Sequence, residues 1–588
     1  MANLIETNGD LEQLSGVETF KSRSGGLYGP IADELAQPTD HFSEESIQIL
    51  KHHGSYQQDN RDTRKARKKE GLDKEYSMML RTKFPGGDLT ADQFLFCLDM
   101  AAKYGQDDFR VTSRQDFQFH GVIKKNFRPL INDLNKLSKI TSIGGCGDVV
   151  RNTMANPVAD IDPRYKDCVT DLVKMAHTIS DATLPKSKAY YDLWLNDEKA
   201  TVNEDGTVQY AKDLREETPD DLYGTQYLPR KFKIGVGTDF DNSSDVYTQD
   251  VGIIAVTEDG KIVGYEILAG GGLGYSHTKK DTYPRAASHV AFVQEDEVLD
   301  IVLAIIKVQR DYGDRSDRKQ ARLKYTIDRM GLDTFIENIA EYAGKKFGAP
   351  RNVQPTDQPD YLGWSKQIQE GLNYVGVWVE NGRVKDFDNS YQFKTGLRAV
   401  IERFKPDVRV TAHHNLVLAN IKDADVDAVQ AMLDEYKLPT DKGITTLRRL
   451  EMACPALPLC GLALSEAERY FPSVMDALEE AGHGDADVII RMTGCPNGCA
   501  RSSSSEIGLI GKGPGRYVIH TGGCYNGTRM NELFLPVVKE EDVVPNLAGL
   551  LSLWKENRAE GEGFGDWSKK VGVETLRTML DAALSAGV

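Results

Sequence analysis

Four of the chain's eight cysteines fall into two tight pairs, Cys454-Pro-Ala-Leu-Pro-Leu-Cys460 and, after 34 intervening residues, Cys495-Pro-Asn-Gly-Cys499. Four thiolates gathered at one point can hold a 4Fe–4S cluster or a structural zinc ion. Zinc ribbons usually space each pair by two to four residues, which the first pair exceeds. Pro455, Pro458 and Pro496 break helix and leave irregular backbone, whose free N–H groups can point at cluster sulfurs. The spacing favours a cluster over zinc, and either over four unligated core cysteines.

Three groups of cations could face an anion. Arg110, Arg114 and His120 lie around a pair of alternating strands, where an exposed strand face is the plain reading. Arg151 follows Gly147-Asp148, where an arginine often only braces a turn. Lys231 and Lys233 sit two apart and share one face of a strand, with Phe232 on the other. Two lysines on one face repel each other unless an anion lies between them; the alternative is two solvated lysines on an edge. Gly270-Gly-Gly-Leu-Gly274 permits close backbone approach, but no clear helix follows, so it is not read as a dinucleotide-binding loop.

The elements that must position these residues repeat. Met78–Phe84 alternates like a strand, Pro85-Gly-Gly87 turns, Thr90 can cap a helix through Tyr104, and Phe109–His120 reads as two strands. Val375–Val379, Asn381-Gly382, a helix from Thr395 to Phe404 and Val408–Ala419 repeat the order. At a displacement of 299 positions Arg409, Val410 and Thr411 fall on Arg110, Val111 and Thr112. An internal duplication explains this better than chance. Arg114, Gln118 and His120 meet His413, Val417 and Ala419, so one copy keeps polar ligands and the other, with His413 and His414, reads as scaffold.

A fainter pair of series joins Arg230–Ile234, Asp250–Val256 and Gly270–Gly272 to Val488–Met492, Glu506–Ile510 and Gly522-Gly523. The paired cysteines lie only in the second. The order A, B, A′, B′ predicts a pseudo-twofold core with one central site. Residues 292–344 carry helical periodicity and read as packing. His53–Asp59 reads as an ordered loop within an N-terminal arm that wraps the body or binds another subunit. Arg64–Glu70 reads as a solvated face.

The bulk numbers fit. A length of 588 residues suggests three or four domains at roughly 150 residues each. Hydrophobic residues at 40% and charged residues at 27% are those of a soluble globular chain. A net charge of −17 argues against general nucleic-acid binding. No apolar run reaches the ~18 residues of a membrane span. The first ten residues show no signal-peptide pattern. Cys97, Cys146, Cys168 and Cys524 are scattered, which fits a reducing cytoplasm rather than a disulfide framework.

The stretches around Cys454 and Cys460, Thr-Gly-Cys495-Pro-Asn-Gly-Cys499-Ala-Arg, Leu-Pro-Arg-Lys231-Phe-Lys233, Arg-Gln-Asp-Phe-Gln-Phe-His120-Gly and Gly-Asp-Val-Val-Arg151-Asn together resemble the signatures of the assimilatory sulfite reductase haemoprotein (beta subunit) branch of the sirohaem nitrite and sulfite reductase family. The resemblance runs from about Tyr56 to Gly565. It implies an α+β, internally duplicated fold: two ferredoxin-like halves and two larger α/β modules around one sirohaem coupled to a 4Fe–4S cluster. The expected divisions are an arm for partner docking over 1–75, half 1 over 76–143, a sirohaem and substrate module over 144–360, half 2 over 361–436 and the cluster module over 437–588.

Carried over, the resemblance implies cluster ligands Cys454, Cys460, Cys495 and Cys499, with Cys499 bridging to the sirohaem iron. Arg81, Arg151, Lys231 and Lys233 would surround the substrate. Arg110, Arg114, Gln118, His120, Arg318 and Arg322 would contact the sirohaem, and Asn497 would stabilise the cluster loop. Some members link a cysteine at the place of Cys146 to a tyrosine, here Tyr56; a lone cysteine is otherwise a buried small hydrophobe. The implied activity is six-electron reduction of sulfite to sulfide, in sulfur assimilation. Nitrite reduction is the alternative, and a structural zinc protein binding an anion is the reading from another class. With no flavin or nicotinamide fingerprint in the chain, electrons must come from a partner. An NADPH-using flavoprotein subunit in a hetero-oligomer is expected first, ferredoxin second.

Overall fold

The computed structural model describes residues 14–586 apart from 167, 169–171, 204, 212–218 and 389. Two five-stranded sheets carry the duplicated halves. The first runs Ser55–Asp59, Tyr76–Arg81, Phe117–Val122, Phe109–Val111, Arg383–Val384. The second runs Gly363–Lys366, Leu372–Val377, Leu416–Lys422, Asp407–Val410, Asp88–Leu89. The last strand of each sheet comes from the other half: Arg383 pairs with Arg110, and Asp88 with Arg409. Gly87 and Gly382, with φ of 76° and 74°, make the crossing possible. A Cβ on either would lie 2.4 Å from the carbonyl oxygen of Val410 or Val111, respectively.

The expected helix over Ala91–Tyr104 is present, with Thr90 and Gln93 forming a capping box and Phe94, Leu98 and Ala101 buried. Its counterpart, Phe393–Phe404, starts two residues earlier than the Thr395 expected from the sequence. Thr395 does not cap it; its hydroxyl donates to Asp386 at 2.5 Å. The stretch read as a packed loop is instead the strand Ser55–Asp59, an edge of the first sheet; its run of polar residues has no apolar alternation to mark a strand. Ahead of it, Ile31, Phe42 and Ile49 are buried, so this part of the N-terminal arm wraps the body. Arg64–Lys69 forms a short helix that buries no side chain, as the charge run suggested.

Each larger module opens its sheet with a parallel pair. Ile234–Thr238 runs beside Val251–Glu258 with Ile234 opposite Val251, and Ile490–Thr493 beside Ile507–Gly513 with Ile490 opposite Ile507. The strand therefore begins at Ile234, not at Arg230. Lys231–Lys233 is an extended lead-in, held by Phe232 N–H to Val149 O (3.1 Å) and Arg151 N–H to Phe232 O (2.9 Å). The alternation survives: Phe232 is fully buried and both lysines are half-buried.

Met154 lies opposite Gly235, and Met452 opposite Arg491, at matching points of the two modules. This register exposes a repeat not noticed in the sequence: Arg151-Asn-Thr-Met-Ala-Asn-Pro157 and Arg449-Leu-Glu-Met-Ala-Cys-Pro455. Both halves and the first module share one apolar core, while residues 447–580 build a second around Met452, Ile490 and Trp554. The polar seam between the two cores is where the site lies.

Candidate active site

The cysteines sit at the ends of the parallel strands of the second module. Cys454 follows the Met452–Ala453 strand and Cys495 follows Ile490–Thr493. The Cys454 sulfur accepts the Gly494 N–H at 3.3 Å, and that of Cys495 accepts the Asn497 side-chain amide at 3.4 Å. Burial raises the Cys454 thiol pKa well above its usual range, with Cys499, Cys495 and Cys460 adding to the effect. Cys495 is pushed up to about 12 by burial, then by Cys499 and Cys460. Cys460 is raised by burial and by Cys499. Each thiol opposes ionisation of its neighbours, so the four share one space. Yet among the described residues no three His, Cys, Asp or Glu side chains converge closely enough for one metal ion.

Cys499 is exposed, and its carbonyl accepts the Ser113 hydroxyl at 2.9 Å. Its thiol also acts on Arg81, Arg110 and Lys233. It is therefore the point where the cysteine group meets the cations.

Around it the expected cations gather. Burial pulls Lys233 down to about 7, helped by Arg114 and Arg322. Lys231 lies well below its usual range through burial, then Lys233, Arg151 and Arg230. Neither ammonium has a hydrogen-bond or ion-pair partner among the described residues. Arg151 donates to Tyr56 Oη at 3.2 Å and to Gly147 O. For Arg81, burial is outweighed by Cys146, Asp116, Tyr56 and Cys499, and the guanidinium is held charged. Asp116 lies 3.6 Å away, and Gln118, with its amide turned to accept, takes the Nε–H at 3.2 Å. Tyr56 and the fully buried Cys146 both act on Arg81 and Arg151, so they share this pocket.

Arg114 is pulled down to about 9, chiefly by burial. It donates to Gln249 Oε1 at 2.5 Å and to Asn152 O, and its Nε has no hydrogen-bond partner. Arg110 donates to Ala453 O, beside Cys454, and pairs with Glu468 at 3.1 Å. His120 is kept neutral by burial, then by Arg383, Arg110 and Arg81; its Nδ1 lies 3.2 Å from Gln58 Oε1.

Arg318 and Arg322 are not free cations. Arg318 makes two bonds to Asp148, at 2.8 and 3.0 Å, and Arg322 grips Asp250 at 2.9–3.1 Å. Asp250 in turn accepts the Lys233 backbone N–H at 2.9 Å, so Arg322 braces the lysine segment. The glycine turn serves this packing: a Cβ on Gly272 would lie 2.9 Å from the Arg322 guanidinium.

The first module shows what replaces a cluster ligand. By the strand register Asn156 stands where Cys454 does, and Ser243 where Cys499 does. Asn156 donates to Ser243 Oγ at 3.0 Å and to Tyr361 Oη at 3.2 Å. Tyr361 and Tyr165 each reach Asp241 at 2.7 Å. Hydrogen bonds fill the space that thiols line in the second module. Half-buried Glu468, which holds Arg110 and Arg383, was missed in the sequence, as were Gln58 and Asp250; only the Arg-x-x-Met-Ala-x-Pro repeat offered a signal for the Asn156 position.

Two family profiles match. One, described as the nitrite and sulphite reductase 4Fe-4S domain, covers residues 146–347 and 448–586. The other, the nitrite/sulfite reductase ferredoxin-like half domain, covers 70–137 and 365–436. A protein of Staphylococcus haemolyticus named sulfite reductase (NADPH) hemoprotein beta-component is 41% identical over 96% of both chains. Proteins of the same name from Geobacillus thermodenitrificans (41%, covering 95% of this chain and 96% of that one) and Oceanobacillus iheyensis (37%, covering 99% and 98%) are also similar. The solved structure of the Mycobacterium tuberculosis NirA protein superposes with a TM-score of 0.76 at 23% identity, over 96% of this chain and 98% of that one, and shares the fold.

Proposed function

This chain belongs to the nitrite and sulphite reductase family, and on that footing we propose that it reduces sulfite to hydrogen sulfide at a sirohaem coupled to a 4Fe–4S cluster. The observation that carries the reading is Cys499, whose thiol acts on the other three cysteines and on Arg81, Arg110 and Lys233 alike. Four thiols that act on one another, spaced Cys-x5-Cys and Cys-x3-Cys, suit a cluster better than zinc, whose pairs are usually spaced by two to four residues. The unpartnered Lys231, Lys233 and Arg114 Nε suit a polycarboxylate cofactor and an anionic substrate. When bound, the coupled pair would relay to the substrate, in successive steps, six electrons drawn from an external donor.

The chain's own residues do the rest. Arg81 and Arg151 stay charged and hold the anion, since a guanidinium does not give up a proton. Lys231 and Lys233 can. Lys233, near 7, is poised to keep a proton beside an incoming anion and to pass it to a departing oxygen: its N–H bond breaks as an O–H bond forms. Three oxygens leave as water, and solvent reprotonates the amines. Arg110 and Arg114 would hold cofactor carboxylates, with Gln118 as a neutral donor, His120 as a neutral contact and Arg318 and Arg322 as braces.

The named relatives point to an electron-donating flavoprotein partner that uses NADPH, in a hetero-oligomer, with ferredoxin as the other donor. Among the described residues no helix is long and apolar enough to cross a membrane, and a cytoplasmic location is part of the proposal. The test is steady-state turnover of sulfite and of nitrite by purified holoprotein with each donor. Sulfide formation with an NADPH-fed flavoprotein supports the reading. Nitrite turnover with no sulfide formed would replace it.

A further inference from the structure

The turn after the Ser55–Asp59 strand grips the loop that carries Cys460. Arg61 donates its backbone N–H to Pro458 O at 3.1 Å. Its Nη1 reaches Cys460 O and Gly461 O, each at 3.1 Å, and Ala463 O at 3.3 Å. Four carbonyls of one loop thus converge on a residue that lies 399 positions before Cys460. No strand or helix orders this loop between Met452–Ala453 and Phe471–Glu480. A second hold lies alongside, where Asp62 pairs with Arg469 at 2.6 Å.

The grip has a consequence for the sulfur. In a trans peptide group the carbonyl and the N–H point opposite ways. The group joining Gly461 to Leu462 turns its carbonyl to Arg61, so its N–H faces the other way, and the Leu462 and Ala463 N–H groups both favour the ionised Cys460 sulfur. The Arg61 charge itself acts on that sulfur. Hydrogen bonds and positive charge at cluster sulfurs favour the reduced cluster.

The same short segment reaches the anion pocket. Tyr56 receives Arg151, and Gln58 faces His120.

We propose that Arg61 is a positioning residue that fixes the Cys460 loop around the cluster, aims the Leu462 N–H at the Cys460 sulfur and raises the cluster's reduction potential. The proposal rests on the reading that the four thiols hold a 4Fe–4S cluster.

The experiment compares full-length holoprotein with Arg61→Ala and Arg61→Lys. It reads iron and acid-labile sulfide per chain during air exposure, and the cluster's midpoint in an anaerobic titration followed by electron paramagnetic resonance. Arg61→Ala is expected to lose iron several-fold faster and to shift the midpoint to a more negative value. Arg61→Lys keeps the charge but cannot face three carbonyls from one planar group, so its midpoint moves less while its iron loss stays fast. If Arg61→Ala does not fold, Arg61→Lys carries the test alone. Parent-like iron loss and midpoint in the variants overturn the proposal while leaving the cluster reading intact. A parent protein without iron or labile sulfide overturns both.

Discussion

Asp245 and Arg501 occupy equivalent positions in the two modules and pair with each other, Oδ2 to Nη1, at 3.4 Å. Each is in the left-handed region, with φ of 53° and 57°, and each opens a short 3-10 turn, Val246–Thr248 or Ser502–Ser504. Asp250 and Glu506 follow at the same distance and accept the N–H of Lys233 and Ile489. Equivalent residues that touch must lie on the axis relating the copies. This buried pair therefore marks the pseudo-twofold axis.

Removing the acid from that axis strands Arg501 in the interior, beside Arg491, whose Nε and Nη1 already have no hydrogen-bond partner. Asp245→Asn is expected to cost about 3–5 kcal/mol of stability, the usual loss when a buried pair is broken from one side. Urea denaturation measures it.

Cys499→Ser is expected to abolish electronic coupling between haem and cluster and nearly all sulfide formation, because a hydroxyl is a poor substitute for a thiolate. Cys168→Ser, at a buried thiol distant in role, should keep the parental spectrum and turnover. An intact coupled spectrum in Cys499→Ser would remove the bridging assignment.

Arg114→Ala should lower extractable sirohaem per chain several-fold, since a buried carboxylate loses its cation. His413→Ala removes a fully buried ring at the equivalent position. It should cost on the order of 1–3 kcal/mol of stability while sirohaem content stays near the parental value. Equal sirohaem loss in both would mean that the copies are assigned the wrong way round.

Lys231→Arg and Lys233→Arg keep charge but withhold a proton. Each is expected to retain part of the sulfite affinity and lose at least tenfold in kcat. Arg151→Ala should chiefly raise KM, more for sulfite than for nitrite. Steady-state kinetics with a chemical reductant separates the two effects. Full kcat in the arginine variants would move proton delivery to water.

Glu451 is buried, its carboxyl oxygens lack hydrogen-bond partners, and its pKa is raised from 4.5 to about 8, first by burial and then, against Arg448, by Glu380, Glu479 and Asp476. The folded state therefore binds its proton more tightly than the unfolded chain. Its stability contribution is full below about 4.5 and is lost as pH rises to about 8. Glu451→Gln should flatten that decline and be more stable than the parent above pH 8, as thermal unfolding across pH would record. A parallel decline in both proteins would place the titration elsewhere.

What the sequence disclosed follows from periodicity. The repeat of Arg110-Val-Thr in Arg409-Val-Thr and the alternation around Phe232 survive because buried apolar side chains fix register. Strands of two residues, Asp88–Leu89 and Arg383–Val384, carry no period, so the exchange between halves could not be read. The partners of Arg318 and Arg322 were hidden for another reason. Asp148 and Asp250 lie far off in sequence, and ion pairs leave no pattern along a chain. The start of the strand at Ile234 depends on its pairing with Val251, which only the fold supplies.

The exchanged strands also set a timetable. As the chain is made, Phe109–Val111 remains an open sheet edge until Arg383–Val384 has been synthesised. At roughly 5–20 residues per second that interval is on the order of 15–60 s. Neither ferredoxin-like half can finish as an independent unit during translation, and an unpaired edge invites association with other nascent chains. The order of synthesis thus leaves that edge in need of protection on the ribosome until its partner strand emerges.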